Sequence, residues 1–203
     1  MANSLKAFIL TCSLKLSPAA SSSEKIAGEI AAELKAHGVE SEIVRAVDYD
    51  IKPGVLADMG EGDAWPALRQ QMLDADIFVI ATPTWVGHMS SVAQRIIERL
   101  DDELSHKDSE GRLLTYGKVA GAAVVGNEDG AHAIIADLFQ GLNDVGFTIP
   151  AAASTYWNGE AMQSTDYNDL KETPKATAAA TKTMAAHLAH TAQLLRDNPY
   201  PAA

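Results

Sequence analysis

Residues 77–100, IFVIATPTWVGHMSSVAQRIIERL, constrain the fold more than any other stretch of this chain. They read as a short apolar run, a loop of small, polar and aromatic residues, and a helix with an apolar stripe. A run without polar alternation suits a strand covered on both faces, and such strands belong to parallel sheets joined by helices. The stretch therefore sets a loop with ligand-binding chemistry at the carboxyl end of a buried strand.

The rest of the chain repeats that alternation. Residues 7–10 read as a first strand, and Ser21, Ser22 and Ser23 can cap a helix with a stripe of Ile26, Ala27, Ile30, Ala31 and Leu34 that ends near Gly38. Residues 39–47 carry charge on both sides, as an edge strand does. Residues 53–63 are a Gly, Asp and Pro loop, and residues 65–73 form a helix with Pro66 in its first turn. After the third strand, 77–81, the next helix buries Val92, Ile96, Leu100 and Leu104 beside Ala93 and Ile97. Residues 105–117 are a polar connection. Residues 119–125 are a fourth, doubly covered strand, Ile134, Ile135, Leu138, Leu142 and Val145 mark a helix, and residues 147–150 are a short fifth strand. A long connection, 151–172, holds Tyr156, Trp157 and Tyr167, and its aromatics favour function or a subunit contact. An Ala-rich helix spans 173–197, and the proline-bearing tail is disordered or draped. The expectation is one α/β domain over residues 1–203: a doubly wound, five-stranded parallel sheet in the order 2-1-3-4-5, with helices on both faces.

With 47% hydrophobic residues, 203 residues can bury a substantial core. A net charge of −11 without a basic block argues against nucleic acid. Cys12 is the sole cysteine, which excludes an intramolecular disulfide and fits a reducing compartment. Neither a leader nor a run of eighteen apolar residues is present, so the expectation is a cytoplasmic protein without a membrane partner.

In a doubly wound sheet, ligands sit outside the carboxyl ends of the strands, and three loops converge there. The first, TCSLKLSPAASSS, offers Ser13, Lys15, Ser21, Ser22, Ser23 and a helix amino terminus, which suits a terminal phosphate. It lacks GxGxxG and GxxxxGK[ST], so a monophosphate fits better than a dinucleotide or a nucleoside triphosphate. It also reads as a serine-rich turn with an ordinary cap. The second loop has Pro83 to stiffen it, Gly87 for close backbone approach and Trp85 as a flat surface, although a Trp or Met after a strand commonly packs. In the third, GNEDGAH, backbone amides between Gly126 and Gly130 can reach a ligand, or Asp129 can simply cap the helix.

At these residues the chain resembles the flavodoxin-like NAD(P)H-dependent FMN reductase family, which includes quinone and azo reductases. The first-loop form S-x-[RK] with a Ser/Asn cluster corresponds to Ser13, Lys15 and Ser21 to Ser23, and P-x-[YW]-x-x-x-[ST] corresponds to Pro83, Trp85 and Met89 to Ser90. The likeness covers roughly residues 7–150. Thr11-Cys12 stands where relatives often have Gly-Ser, and nothing from Ala151 onward matches a common motif.

The resemblance implies that Ser13, Ser21, Ser22 and Ser23 hold the FMN phosphate near Lys15. It places Pro83, Thr84, Trp85, Val86, Gly87 and His88 along the isoalloxazine, with Gly126, Asn127, Glu128, Asp129 and Gly130 on its other side and Trp85 or Trp157 flanking a face. Hydride would pass from NADH or NADPH through FMN to a flavin, quinone or similar small acceptor, with no catalytic acid or base required of the protein. A homodimer or homotetramer is implied as well. The alternatives are a flavodoxin-like electron carrier without nicotinamide turnover and a cofactor-free scaffold. His187 and His190, one helical turn apart, lack a third metal ligand nearby. His88 and His132 read as structural histidines before proton donors, and Cys12 as a small hydrophobe before a nucleophile.

Overall fold

A computed structural model describes residues 4–202. The readings for the first three residues and for Ala203 lie outside the described residues.

Five parallel strands form the sheet in the spatial order β2-β1-β3-β5-β6: β1 (Leu5–Thr11), β2 (Val39–Arg45), β3 (Ile77–Trp85), β5 (Val119–Gly126) and β6 (Ser154–Asn158). A two-residue strand, β4 (His88–Met89), folds back antiparallel on the end of β3. The expected flavodoxin-like winding holds, and its inner strands are apolar runs because both faces are covered. On one face Phe8, Leu10, Phe78, Ile80, Ala122 and Val124 meet α2 (Trp65–Asp74), α3 (Ser91–Arg99) and α4 (Ala131–Asp144). On the other, Ala7, Ile9, Val79, Ala123 and Val125 meet α1 (Ser22–Ala36) and α5 (Lys175–Asp197). Helix α5 lies close over β5 because Gly121 has no side chain: a Cβ there would stand 2.6 Å from Met184 Cε.

Two expectations need correction. The fifth strand is not residues 147–150. Phe147 is buried in the core and Thr148 makes only an isolated bridge to Val119, after which the chain turns through Ala152 and enters the sheet at Ser154, inside the stretch read as a long loop. Leu104 is 48% exposed rather than buried. Helix α3 ends at Arg99 and a 3-10 turn over Asp101–Ser105 follows, so the shorter period turns Glu103 inward and Leu104 outward.

The inward Glu103 and both Nη groups of Arg99 are paired, while Arg99 Nε is buried without a hydrogen-bond partner among the described residues. Arg99 donates to Lys52 O (2.8 Å) and Asp63 Oδ2 (2.7 Å), and Glu103 receives Arg69 at 2.5 and 2.9 Å. The Arg99 bonds pin the loop of residues 52–63 to α3, and the Arg69–Glu103 pair ties α2 to the 3-10 turn. The tail is draped: Tyr200 rests on the Tyr116 ring and its hydroxyl lies 2.8 Å from Thr148 Oγ1. Among the described residues no helix is long and apolar enough to cross a membrane.

Candidate flavin site at the carboxyl rim of the sheet

Strands β1 and β3 deliver their loops side by side. Cys12 N donates to Ala81 O (2.8 Å), and Ser90 Oγ, which caps α3, donates to Cys12 O (2.7 Å), so the first two loops are stitched together below the rim. Cys12 is wholly buried, and burial pushes its thiol far above the usual range, which removes it as a nucleophile.

The first loop folds around side-chain anchors. Arg45, at the end of β2, donates through Nη1 to Lys15 O (3.1 Å) and Ala19 O (2.8 Å), and through Nη2 to Glu24. Ser17 donates its amide (2.8 Å) and hydroxyl (2.6 Å) to Asp48, and these bonds hold the Asp48 carboxyl below the usual carboxylate range. Ser21 caps α1 by accepting from Glu24 N (3.3 Å). The amides of Ser22 and Ser23 lie in the first turn, where no intrahelical carbonyl can reach them.

These residues close around a cavity of about 100 Å³ lined by Ser13, Lys15, Ser21, Ser22, Ser23, Pro83 and Trp85, with Asp166 and Asn168 as its far wall. The wall belongs to the 151–172 segment and is moored through Tyr167. Lys25 Nζ donates to Tyr167 O (2.9 Å) and Leu170 O (3.1 Å), and Tyr167 Oη donates to Glu29 Oε2 (2.5 Å). Burial and the Glu29 hydrogen bond raise the Tyr167 hydroxyl well above its usual range, so it stays a donor.

The second and third loops meet mostly through main chain. Strands β3 and β4 make a hairpin whose turn residues, Val86 (φ 54°) and Gly87 (φ 75°), are both left-handed, the geometry of a tight two-residue turn. Gly130 (φ 130°) packs on it so closely that a Cβ would fall 2.7 Å from Gly87 O, and a Cβ on Gly126 would fall 2.7 Å from Thr84 Cβ. Glu128 Oε1 accepts from Val86 N (2.8 Å), and Asn127 Nδ2 donates to Gln163 O (3.1 Å). Asp129 is exposed and does not cap α4; Gly130 holds that position.

The cavity thus gathers seven of the residues singled out from the sequence. Val86, Gly87, His88 and residues 126–130 do not line it; they meet one another at the β3–β4 hairpin that follows Pro83 and Trp85. Thr84 faces inward with its hydroxyl buried and unpaired, and Trp157 packs on Tyr167 at 5.5 Å. Arg45, Asp166, Asn168 and Tyr167 escaped assignment as site residues. Arg45 could have been found by noting that β2, parallel to β1, must end at the same rim.

The donor set fits a flavin mononucleotide. Free helix amides, hydroxyls and Lys15 suit a phosphate, and the cavity is far smaller than the roughly 300–1,000 Å³ that encloses a whole ligand. The rings would have to lie against the exposed indole of Trp85 and the hairpin beside it.

Comparison with known proteins agrees. The NADPH-dependent FMN reductase family matches residues 5–163. The chain is 33% identical over 208 residues to 8-demethyl-8-aminoriboflavin-5'-phosphate synthase of Streptomyces davaonensis, covering 97% of this chain and 80% of that protein. It superposes with a TM-score of 0.87 and 31% identity on a crystal structure of RosB with bound 8-demethyl-8-formylriboflavin-5'-phosphate, covering 97% of this chain and 82% of that one. It is also 37% identical over 199 residues to a Mycobacterium bovis protein described as divalent metal cation transporter MntH. There it covers 95% of this chain but spans only 29% of the relative's length. The family match over most of the chain and the rim that fits a flavin lead to one conclusion: this protein belongs to the NADPH-dependent FMN reductase family and has a flavodoxin-like fold.

Proposed function

We propose that the protein binds FMN at this rim and transfers hydride from NADH or NADPH, through the flavin, to a small acceptor such as a flavin or quinone. The observation that carries the reading is the 100 Å³ cavity of hydroxyls and free helix amides beside a main-chain hairpin and an exposed indole. When bound, FMN supplies the centre that takes up and gives back a hydride equivalent. The chain's own work is to hold and orient. Ser13, Ser21, Ser22 and Ser23 receive the phosphate in the field of the α1 amino terminus, with Lys15 as the nearby cation. Trp85 and Pro83 offer a flat apolar surface for the rings, and residues 126–130 bound them from the other side. The exposed Trp85 and Val86 support a neighbouring subunit that completes the cover, as a homodimer or homotetramer.

An absorbance spectrum with and without FMN, followed by anaerobic titration with NADH and NADPH, tests this. Rapid bleaching of bound flavin is the expected result; bound flavin that resists both nicotinamides would make the protein an electron carrier, and no binding would overturn the reading. A second reading, in which a riboflavin phosphate is itself transformed, is favoured by the likeness to the Streptomyces davaonensis synthase. Its mark is a changed flavin mass after turnover, whereas the first reading returns FMN unaltered.

A further inference from the structure

We infer that Glu128 is a built-in competitor for the ring side of the flavin site, so that bound flavin exchanges rather than staying locked in place. The inference rests on the FMN-binding reading above. In a two-residue hairpin turn the amide of the first turn residue points away from the ladder. Val86 N is that amide, and it donates at 2.8 Å to the Glu128 carboxylate. Val86 as a residue is 85% exposed, and the hairpin that carries it is the surface against which the proposed function sets the rings.

A carboxylate offers the same kind of acceptor oxygen that a flavin ring edge presents, and it adds a full negative charge. Both cannot accept from one N–H at full strength. The backbone around Glu128 cannot yield in its place: Gly126 O accepts from Gly159 N (2.7 Å), Asn127 is tied to Gln163, and Gly130 sits against Gly87. Only the Glu128 side chain has freedom to leave, and rings seated against the hairpin would have to displace it. Ring binding therefore costs the free energy of a charge-assisted hydrogen bond, and release is assisted when the carboxylate returns.

The test is FMN titration, followed by flavin fluorescence, of the wild-type chain, Glu128→Ala, Glu128→Gln and Asp137→Asn. Glu128→Ala is expected to lower Kd about tenfold and to slow FMN release by a similar factor. Glu128→Gln, which keeps the shape and a neutral acceptor, should fall between the two. Asp137→Asn removes the same charge from the exposed face of α4 and should stay within about twofold, which separates the specific contact from general acidity. Equal or weaker binding by both Glu128 variants, with binding intact in the wild type, would overturn the competitor role alone. No binding by any of the four proteins would instead overturn the FMN reading itself. Glu128→Gln keeps the question open to refutation if Glu128→Ala fails to fold.

Discussion

The two halves of the rim are built by different means. Around the phosphate-sized cavity the chain is held by side chains: Arg45 reaches two carbonyls and Glu24, Asp48 takes both donors of Ser17, and Lys25 with Glu29 moors the far wall. Around the hairpin the packing is close and glycine-dependent, with Gly130 against the Gly87 main chain and Gly126 against the Thr84 side chain, Glu128 as the side-chain link across that junction and Asn127 tied to Gln163. A small charged group can be met by aimed dipoles and hydroxyls, whereas a broad planar one needs a flat, close-packed wall. Each half should therefore break in its own way: the first on loss of a polar partner, the second on gain of a methyl group.

The largest effect is expected from Gly130→Ala. The new Cβ would meet Gly87 O at 2.7 Å in a backbone of φ 130°, and we expect a loss of roughly 3 kcal/mol in urea unfolding, from strain and overpacking together. Next, Arg45→Met strips two carbonyls and Glu24 of their donor. A loss of about 2 kcal/mol and weaker FMN binding should appear together in calorimetry and titration, because the anchor shapes the cavity. If Arg45→Met instead left FMN affinity untouched, the two halves would not differ as described.

Ser22→Asp should leave stability within about 0.5 kcal/mol, since an acidic side chain suits the first turn of a helix. The same charge set against the phosphate should weaken FMN by at least about tenfold in the same titration. The smallest expected effect is acid loosening of the first half. The Asp48 carboxyl is held below its ordinary value in the folded chain by the Ser17 hydroxyl and amide. Its contribution is therefore fully present above the unfolded carboxylate value and is lost as pH falls below that value through the lowered folded one. The Ser17 amide resonance should shift only on acidification below about pH 4, under the ordinary carboxylate range, while the Gly87 and Gly130 amides, for which the described residues show no carboxylate partner, move less.

Much of this was legible in the sequence. Doubly covered strands announce themselves as apolar runs, which is why β1, β3 and β5 and the three loops after them could be placed. Ser21 as a cap follows equally from local chemistry, since its oxygen answers an orphan amide in the next turn. The edge strand β6 was misplaced because STYWN is half polar. The apolar FTIP before it drew the assignment, although Phe147 is apolar for the core and not for the sheet. Arg45 could be placed at the rim from the end of β2 but its anchoring of the first loop could not, and Arg99 reads as an isolated surface arginine, since their partners lie 21 or more residues away. Tyr167 stands out in the sequence only as an aromatic in a long connection, because its mooring to Glu29 depends on the path of that connection over α1. The hairpin after β3 was hidden, because its first turn residue, Val86, is β-branched and takes φ 54°, a conformation such residues rarely adopt, so that only Gly87 signals a turn.

The account turns on a mononucleotide gripped by its phosphate at the first loop. A titration of the purified protein with FMN and, in parallel, with riboflavin tests this most directly, because the two ligands differ only in that phosphate. The account predicts saturation near one FMN per chain, with riboflavin weaker by about tenfold or more. Equal affinity for the two, or no saturable binding of either, would contradict it.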